Sequence, residues 1–204
     1  MYNLLEPRLQ PVPLASLRPT QMTVGMIEVD RKRRQWLDHV AANGPDFLGS
    51  HMIPVVLGPK KVPWLIDHHH LARALHDEGV EHVLVSVVAR LCDLRKTEFL
   101  TFMDNRNWLH PYDSKGKRCD VTDMPRSLGK LTDDPYRSLA GAVRQAGGYA
   151  KTDTPYSEFL WADFLRGRIP AKLVADKFEK AVNKALEVAH GEDATHLPGY
   201  CGTF

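Results

Sequence analysis

Apolar and polar positions change period along this chain, and the changes outline its elements. "IPVVLG" (53–58) and "VPWLID" (62–67) are short apolar runs separated by "GPKK", which predicts two strands joined by a turn. "LARALHDEG" (71–79) follows, with Leu71, Ala74 and Leu75 on one face and Gly79 as a stop, which predicts a short helix. "HVLVSVVARL" (82–91) is apolar at nearly every position, as a strand buried on both faces would be. Upstream, "VPLASLRPT" (12–20) is extended and punctuated by Pro13 and Pro19. Residues 24–44 place Met26, Val29, Trp36, Leu37 and Val40 on an imperfect helical face, with a stop at Gly44–Pro45.

Downstream, 94–105 predicts another helix, whereas the Pro, Asp, Ser and Gly of "RNWLHPYDSKGKRCD" (106–120) exclude regular structure. The remainder reads as helices over 135–147, 156–167 and a longer one over 171–189. That last carries Val174, Phe178, Val182, Ala185 and Ala189 as an amphipathic stripe. Tyr156, Phe159, Trp161 and Phe164 read as core or interface. The pattern predicts an α+β core over 1–120 and a helical extension over 121–204 packed on it.

Composition agrees with a folded chain of ordinary charge. Of 204 residues, 43% are hydrophobic and 25% charged, and the net charge is +2. The balance is too mild to identify a nucleic-acid binder by itself. Cys92, Cys119 and Cys201 are odd in number and widely spaced, which indicates neither a disulfide framework nor a cysteine zinc site. The first residues lack the basic start and apolar core of a signal peptide, and no run reaches the ~18 apolar residues of a membrane span. The expectation is a cytoplasmic protein without a membrane partner; the oligomeric state is not legible. "GSHM" (49–52) looks like a cloning remnant but lies mid-chain and is read as native.

Titratable chemistry concentrates at "VPWLIDHHHLARAL", where a strand hands over to a helix. A helix start presents unsatisfied N–H groups and the positive end of its dipole, and so suits an anion. Asp67 can cap such a helix by accepting from amides two or three residues on. His68, His69 and His70 would occupy the first turn about 100° apart, so at most two face one ligand. Three readings stand together. His69 or His70 contacts phosphate or acts as general acid/base; Asp67 and two histidines bind a metal, although no HxxxH or HExxH is present; or Asp67 is a cap and the histidines pack or meet solvent.

"IDHHHLARAL", following paired strands and preceded by "LRPTQMTVGMIEV", resembles the ParB/sulfiredoxin superfamily over about residues 12–110, and more narrowly the uncharacterised ParB-like nuclease family. In that superfamily a strand enters a G-x-[HR]-R-x-x-A box that opens a helix and cradles nucleotide phosphates. Partitioning ParB proteins use it for CTP and sulfiredoxins for ATP, and free-serine kinases carry an Asp-Gly-His-His-Arg version. Asp67, His69, His70 and Ala74 match that version, whereas His68 replaces its glycine and Leu71 its arginine. His69 also replaces the sulfiredoxin cysteine, which excludes sulfinic-acid reduction by that route.

The resemblance implies a ParB/sulfiredoxin-like mixed sheet and a phosphate-handling enzyme, performing phosphoryl transfer or phosphoester hydrolysis on a nucleotide (ATP, ADP or CTP) or a phosphorylated small molecule. Asp67, His69 and His70 are its candidate catalytic residues, with Glu28 where the serine kinases place a catalytic glutamate. Asp67 is also the candidate ligand for Mg²⁺. His68, Arg73, Lys60 and Lys61 are candidate phosphate contacts. The irregular loop adds Arg106, Trp108, His110 and Asp113, an aromatic beside cations and an acid as a small-molecule pocket needs. The second reading is a nuclease with Arg31, Lys32, Arg33 and Arg34 on the nucleic-acid backbone. A third is a nucleotide-gated DNA-binding module, though no helix pair with a basic recognition face follows the box.

Overall fold

A computed structural model describes residues 10–44 and 52–202. Pro45 of the expected helix stop and most of "GSHM" (49–51) lie outside the described residues, as do 1–9. The fold is α+β, with seven α-helices among the described residues. The chain divides into two compact units. The first holds 10–23, 29–44, 52–113 and 117–132 of the described residues; the second holds 24–28, 114–116 and 133–202.

The first unit is built on a five-stranded mixed sheet. Its strands are β1 (Gln10–Pro13), β2 (Arg18–Pro19), β4 (Ile53–Leu57), β5 (Pro63–Leu65) and β6 (His82–Arg90), in the order β1-β6-β4-β5-β2. Two further short strands, β3 (Thr23–Val24) and β7 (Thr132–Asp133), make a two-stranded sheet of their own. The predicted pair β4 and β5 is an antiparallel hairpin, closed by the 3₁₀ turn Pro59–Lys61. Helix α2 (His69–Asp77) then carries the chain across to β6, which pairs parallel to β4. The antiparallel β5 brings the chain back to the end at which β4 begins, and the nine-residue amphipathic α2 spans from there to the start of β6 on the other side of β4. Helix α3 (Lys96–Asn105) contributes Phe99, Leu100 and Met103 to a core with Val56, Leu109 and Met124.

Two details depart from the sequence expectation. β6 is not buried on both faces: Val83 and Val85 are buried, but Val88 is half exposed, the alternation of a one-faced strand. Helix α1 (Met26–Asn43) forms where its pattern predicted and Gly44 follows it with φ +83°. Of its expected core positions only Val29 is buried, and Leu37 is exposed.

In the second unit α4 (Pro135–Gln145), α5 (Ser157–Arg166), α6 (Ala171–Asp176) and α7 (Phe178–Ala189) surround a core of Leu139, Val143, Tyr149, Trp161, Leu165 and Ala185. The single helix expected over 171–189 is two helices, broken at Lys177 by φ −146°, ψ 61°. No proline or glycine marks that break. Trp161 is fully buried as expected, stacked on Tyr149 with ring centroids 4.2 Å apart, and its Nε1–H donates to the Pro198 carbonyl at 2.8 Å. Pro135 at the first position and Asp134 as cap start α4, Asp134 accepting from the Tyr136 amide at 3.0 Å. No described helix is long and apolar enough to cross a membrane.

Candidate functional site

The turn from β5 into α2 is set by Asp67 and His68. Asp67 is exposed, and its Oδ1 accepts from the next amide, His68 N–H, at 2.6 Å. His68 is exposed and takes φ 65°, ψ 28°, the left-handed conformation that favours glycine. It occupies the helix-capping position, and its own side chain makes no cap hydrogen bond to α2. The cap expected from Asp67 therefore does not form: the left-handed turn aims the carboxylate at the adjacent amide, not at those further along. The position that is glycine in the resembled box keeps glycine's backbone conformation while carrying an imidazole.

His69 points inward and is 2% exposed. Its Nε2 accepts from the Thr20 amide at 3.1 Å, and the Thr20 hydroxyl, 3.3 Å from that nitrogen, donates to the Leu65 carbonyl at 2.6 Å. A ring nitrogen that accepts from an N–H carries no proton, so the neutral ring is protonated on Nδ1. His69 thus clasps the segment after β2 to the start of α2. His70, half-buried in the first turn, and His68, exposed before it, are the two imidazoles of the box nearer solvent.

Thr20 also ties in the irregular loop. Its carbonyl accepts from the His110 amide at 2.8 Å, and His110 stacks on Tyr112 with centroids 4.4 Å apart. His69 and His110 therefore share Thr20 as a common partner. The rest of the loop is occupied by its own architecture. Asp113 closes a turn with Lys117, its amide donating to the Lys117 carbonyl and its Oδ1 accepting from the Lys117 amide, both at 2.9 Å. The Arg106 guanidinium lies 5.2 Å from the Trp108 ring, which packs edge-on to Phe102 of α3.

Other expected site residues have partners or positions of their own. Arg73 Nε donates to both oxygens of Asp77 at 2.9 Å, and its Nη1 donates to the Leu131 carbonyl at 2.8 Å. Lys60 and Lys61 lie in the hairpin turn that precedes β5, whereas the box follows it; three extended residues separate the two ends by roughly 10 Å. Glu28 belongs to the second unit, where it accepts from Gln145 Nε2 at 3.4 Å. Arg33 of the basic run is engaged by Glu78 at 2.6 Å, and that hydrogen-bonded carboxylate raises its pKa. Among the described residues no cluster of three or more His, Cys, Asp or Glu could hold a metal ion. Asp67 alone is too small a donor set for a resident Mg²⁺, which would have to ride on ligand phosphates.

Sequence reasoning passed over Thr20, a residue within "LRPT" with no chemical mark of its own. Its role depends on a contact 49 positions along the chain. In the second unit it also missed a buried ionic group. Asp134 is 2% exposed and accepts from Arg166 Nη2 at 2.6 Å, and burial still raises its pKa. Arg137 is 4% exposed, its guanidinium 3.4 Å from the Phe159 ring centroid and 3.7 Å from Glu158, and burial lowers its pKa.

A family model described as "Putative ParB-like nuclease" matches residues 10–167. A crystal structure of protein Atu1540 from Agrobacterium tumefaciens is 49% identical, with a TM-score of 0.91 over 97% of this chain and 100% of that one. A C-terminally truncated chromosome-partitioning protein ParB from Caulobacter crescentus, solved with CTP-γ-S, is 11% identical, with a TM-score of 0.31 over 91% of this chain and 93% of that one. No curated protein matches the chain. The family match spans most of the sequence, box and irregular loop included, and the chain belongs to the ParB-like nuclease family.

Proposed function

We propose that the first unit binds the phosphate of a nucleotide or phosphorylated small molecule at the start of α2, and catalyses phosphoryl transfer or phosphoester hydrolysis there. The observation that carries this reading is the opening of α2: it follows a left-handed residue whose own side chain does not cap it, and His70 lies in its first turn. Amides and dipole at such a start attract an anion without a dedicated arginine, which Leu71 has replaced. His70 is the proton-moving group of this reading, because His69 uses Nε2 to hold Thr20. His69 is a positioning residue. Mg²⁺, where used, would arrive with the phosphates and meet Asp67; it would supply charge neutralisation of the phosphate oxygens.

A thermal-shift panel of ATP, ADP, CTP, GTP and pyrophosphate, each with and without Mg²⁺, tests the reading on wild type and His70→Ala. A ligand at a hundred times its dissociation constant stabilises the folded state by about 2.7 kcal/mol. The expected result is a rise specific to one nucleotide that is lost in the variant. No rise with any of them sinks the reading.

The family description supports a second reading, cleavage of nucleic acid by the same histidine. It predicts metal-dependent shortening of an oligonucleotide that His70→Ala abolishes.

A further inference from the structure

At the other end of β5 from the box, the first unit carries a cavity of about 360 Å³. Its lining includes four cations, Arg18, Lys60, Lys96 and Arg126, and no carboxylate. Its apolar side is led by the part-exposed Trp64, backed by the fully buried Phe99 with ring centroids 5.2 Å apart. The four cations come from four separate places in the sequence: β2, the hairpin turn, the first turn of α3 and the segment after the 3₁₀ helix Val121–Asp123.

None of these cations makes an ion pair with a described residue. The nearest carboxylate in sequence to Lys96, Glu98, is held by Arg95 in a capping box, and that arginine lowers its pKa. Arg18 donates to the Arg126 carbonyl, which fixes one wall. Trp64 Nε1–H is shielded from solvent and has no hydrogen-bond partner among the described residues. The turn that presents Lys60 holds both Lys60 and Lys61 at positive φ, 61° and 58°. Two successive side-chain-bearing residues in that region are costly, and such strain persists where the surroundings over-determine it.

Four like charges gathered over an aromatic surface repel one another unless an anion joins them. The size suits a small ligand, and the lining suits one with a flat apolar part and a phosphate. We infer that this cavity is a second binding site in the first unit, which takes a nucleotide unit with its base against the Trp64 ring and its phosphate among Arg18, Lys60, Lys96 and Arg126. The inference does not depend on the α2 start binding anything. The unit can come from a free mononucleotide or from a single strand of nucleic acid.

Binding of AMP and dCMP by isothermal titration, and of a labelled 12-nucleotide single strand by fluorescence anisotropy, tests the site on wild type, Lys60→Glu, Lys96→Glu and Arg126→Glu. All three substituted side chains are exposed, and circular dichroism and unchanged Tm confirm that each variant folds. The expected result is at least a tenfold loss of affinity in each variant, for whichever probe wild type binds. Mononucleotide binding that the reversals weaken supports the site with a free nucleotide as its ligand. Strand binding alone, weakened in the same way, supports it with nucleic acid as the source. Wild type that binds neither probe, or binding that all three reversals leave intact, overturns it. The α2 reading fails separately, through the His70→Ala thermal shift, so the two failures are distinguishable.

Discussion

His68 is a side-chain-bearing residue in a backbone conformation that costs roughly 1–2 kcal/mol when a β-carbon is present. Glycine would relieve that cost and give back part of it as lost chain entropy. His68→Gly should therefore raise the unfolding free energy by about 0.5–1 kcal/mol in urea titration. An unchanged or lower value would mean that the exposed imidazole makes a stabilising contact. His69 should behave in the opposite sense. Replacing it with alanine opens a buried space and strands the Thr20 amide, so His69→Ala should cost roughly 3 kcal/mol by the same titration. A loss of activity at unchanged stability would instead make His69 a direct participant.

At the scale of elements, the start of α4 combines a cap with a buried charge. Asp134 caps the helix and pairs with Arg166, yet its burial raises its pKa above the usual 3.8. The folded state then binds the proton more tightly than the unfolded state does. This group's contribution to stability is fully present below pH 3.8 and is lost as pH rises through the folded value. Asp134→Asn should flatten that part of the stability-against-pH curve while keeping an oxygen for the Tyr136 amide. Asp134→Ala should cost about 1 kcal/mol, the worth of the lost cap, since Arg166 keeps Asp163 as a partner. Equal slopes in wild type and Asp134→Asn would contradict the raised value. Elements of this kind were the legible part of the sequence. An apolar face and a terminal glycine are local signals, and helices were expected where α1 to α5 form. What stayed hidden depends on distant partners. The two-residue β2 exists because it pairs with β5, 46 positions away, and His69 turns inward because Thr20 waits for it. The break at Lys177 has no local signal at all, since the apolar stripe runs through it from Val174 to Phe178.

At the scale of the whole molecule, charge decides between a pocket for one nucleotide and a track for a strand. A net charge of +2 gives little long-range attraction, and Arg33 of the basic run is held by Glu78. A strand contacting several phosphates would lose affinity steeply with salt, with a slope of roughly −0.7 for each phosphate neutralised on a single strand. A single bound nucleotide displaces few counterions and should respond weakly. We expect nucleotide affinity to fall by less than about tenfold between 50 and 200 mM salt, the shallow end of that relation. The same titration in EDTA isolates the metal. Because no cluster of three or more His, Cys, Asp or Glu among the described residues could hold a metal ion, chelation should leave the Tm of the ligand-free protein unchanged and reduce only the shift that a nucleotide produces. A fall in the ligand-free Tm on chelation would reveal a resident metal that the described residues do not provide for. A steep salt slope with oligonucleotide, together with metal-dependent shortening of the strand, would instead move the chemistry to the nuclease reading.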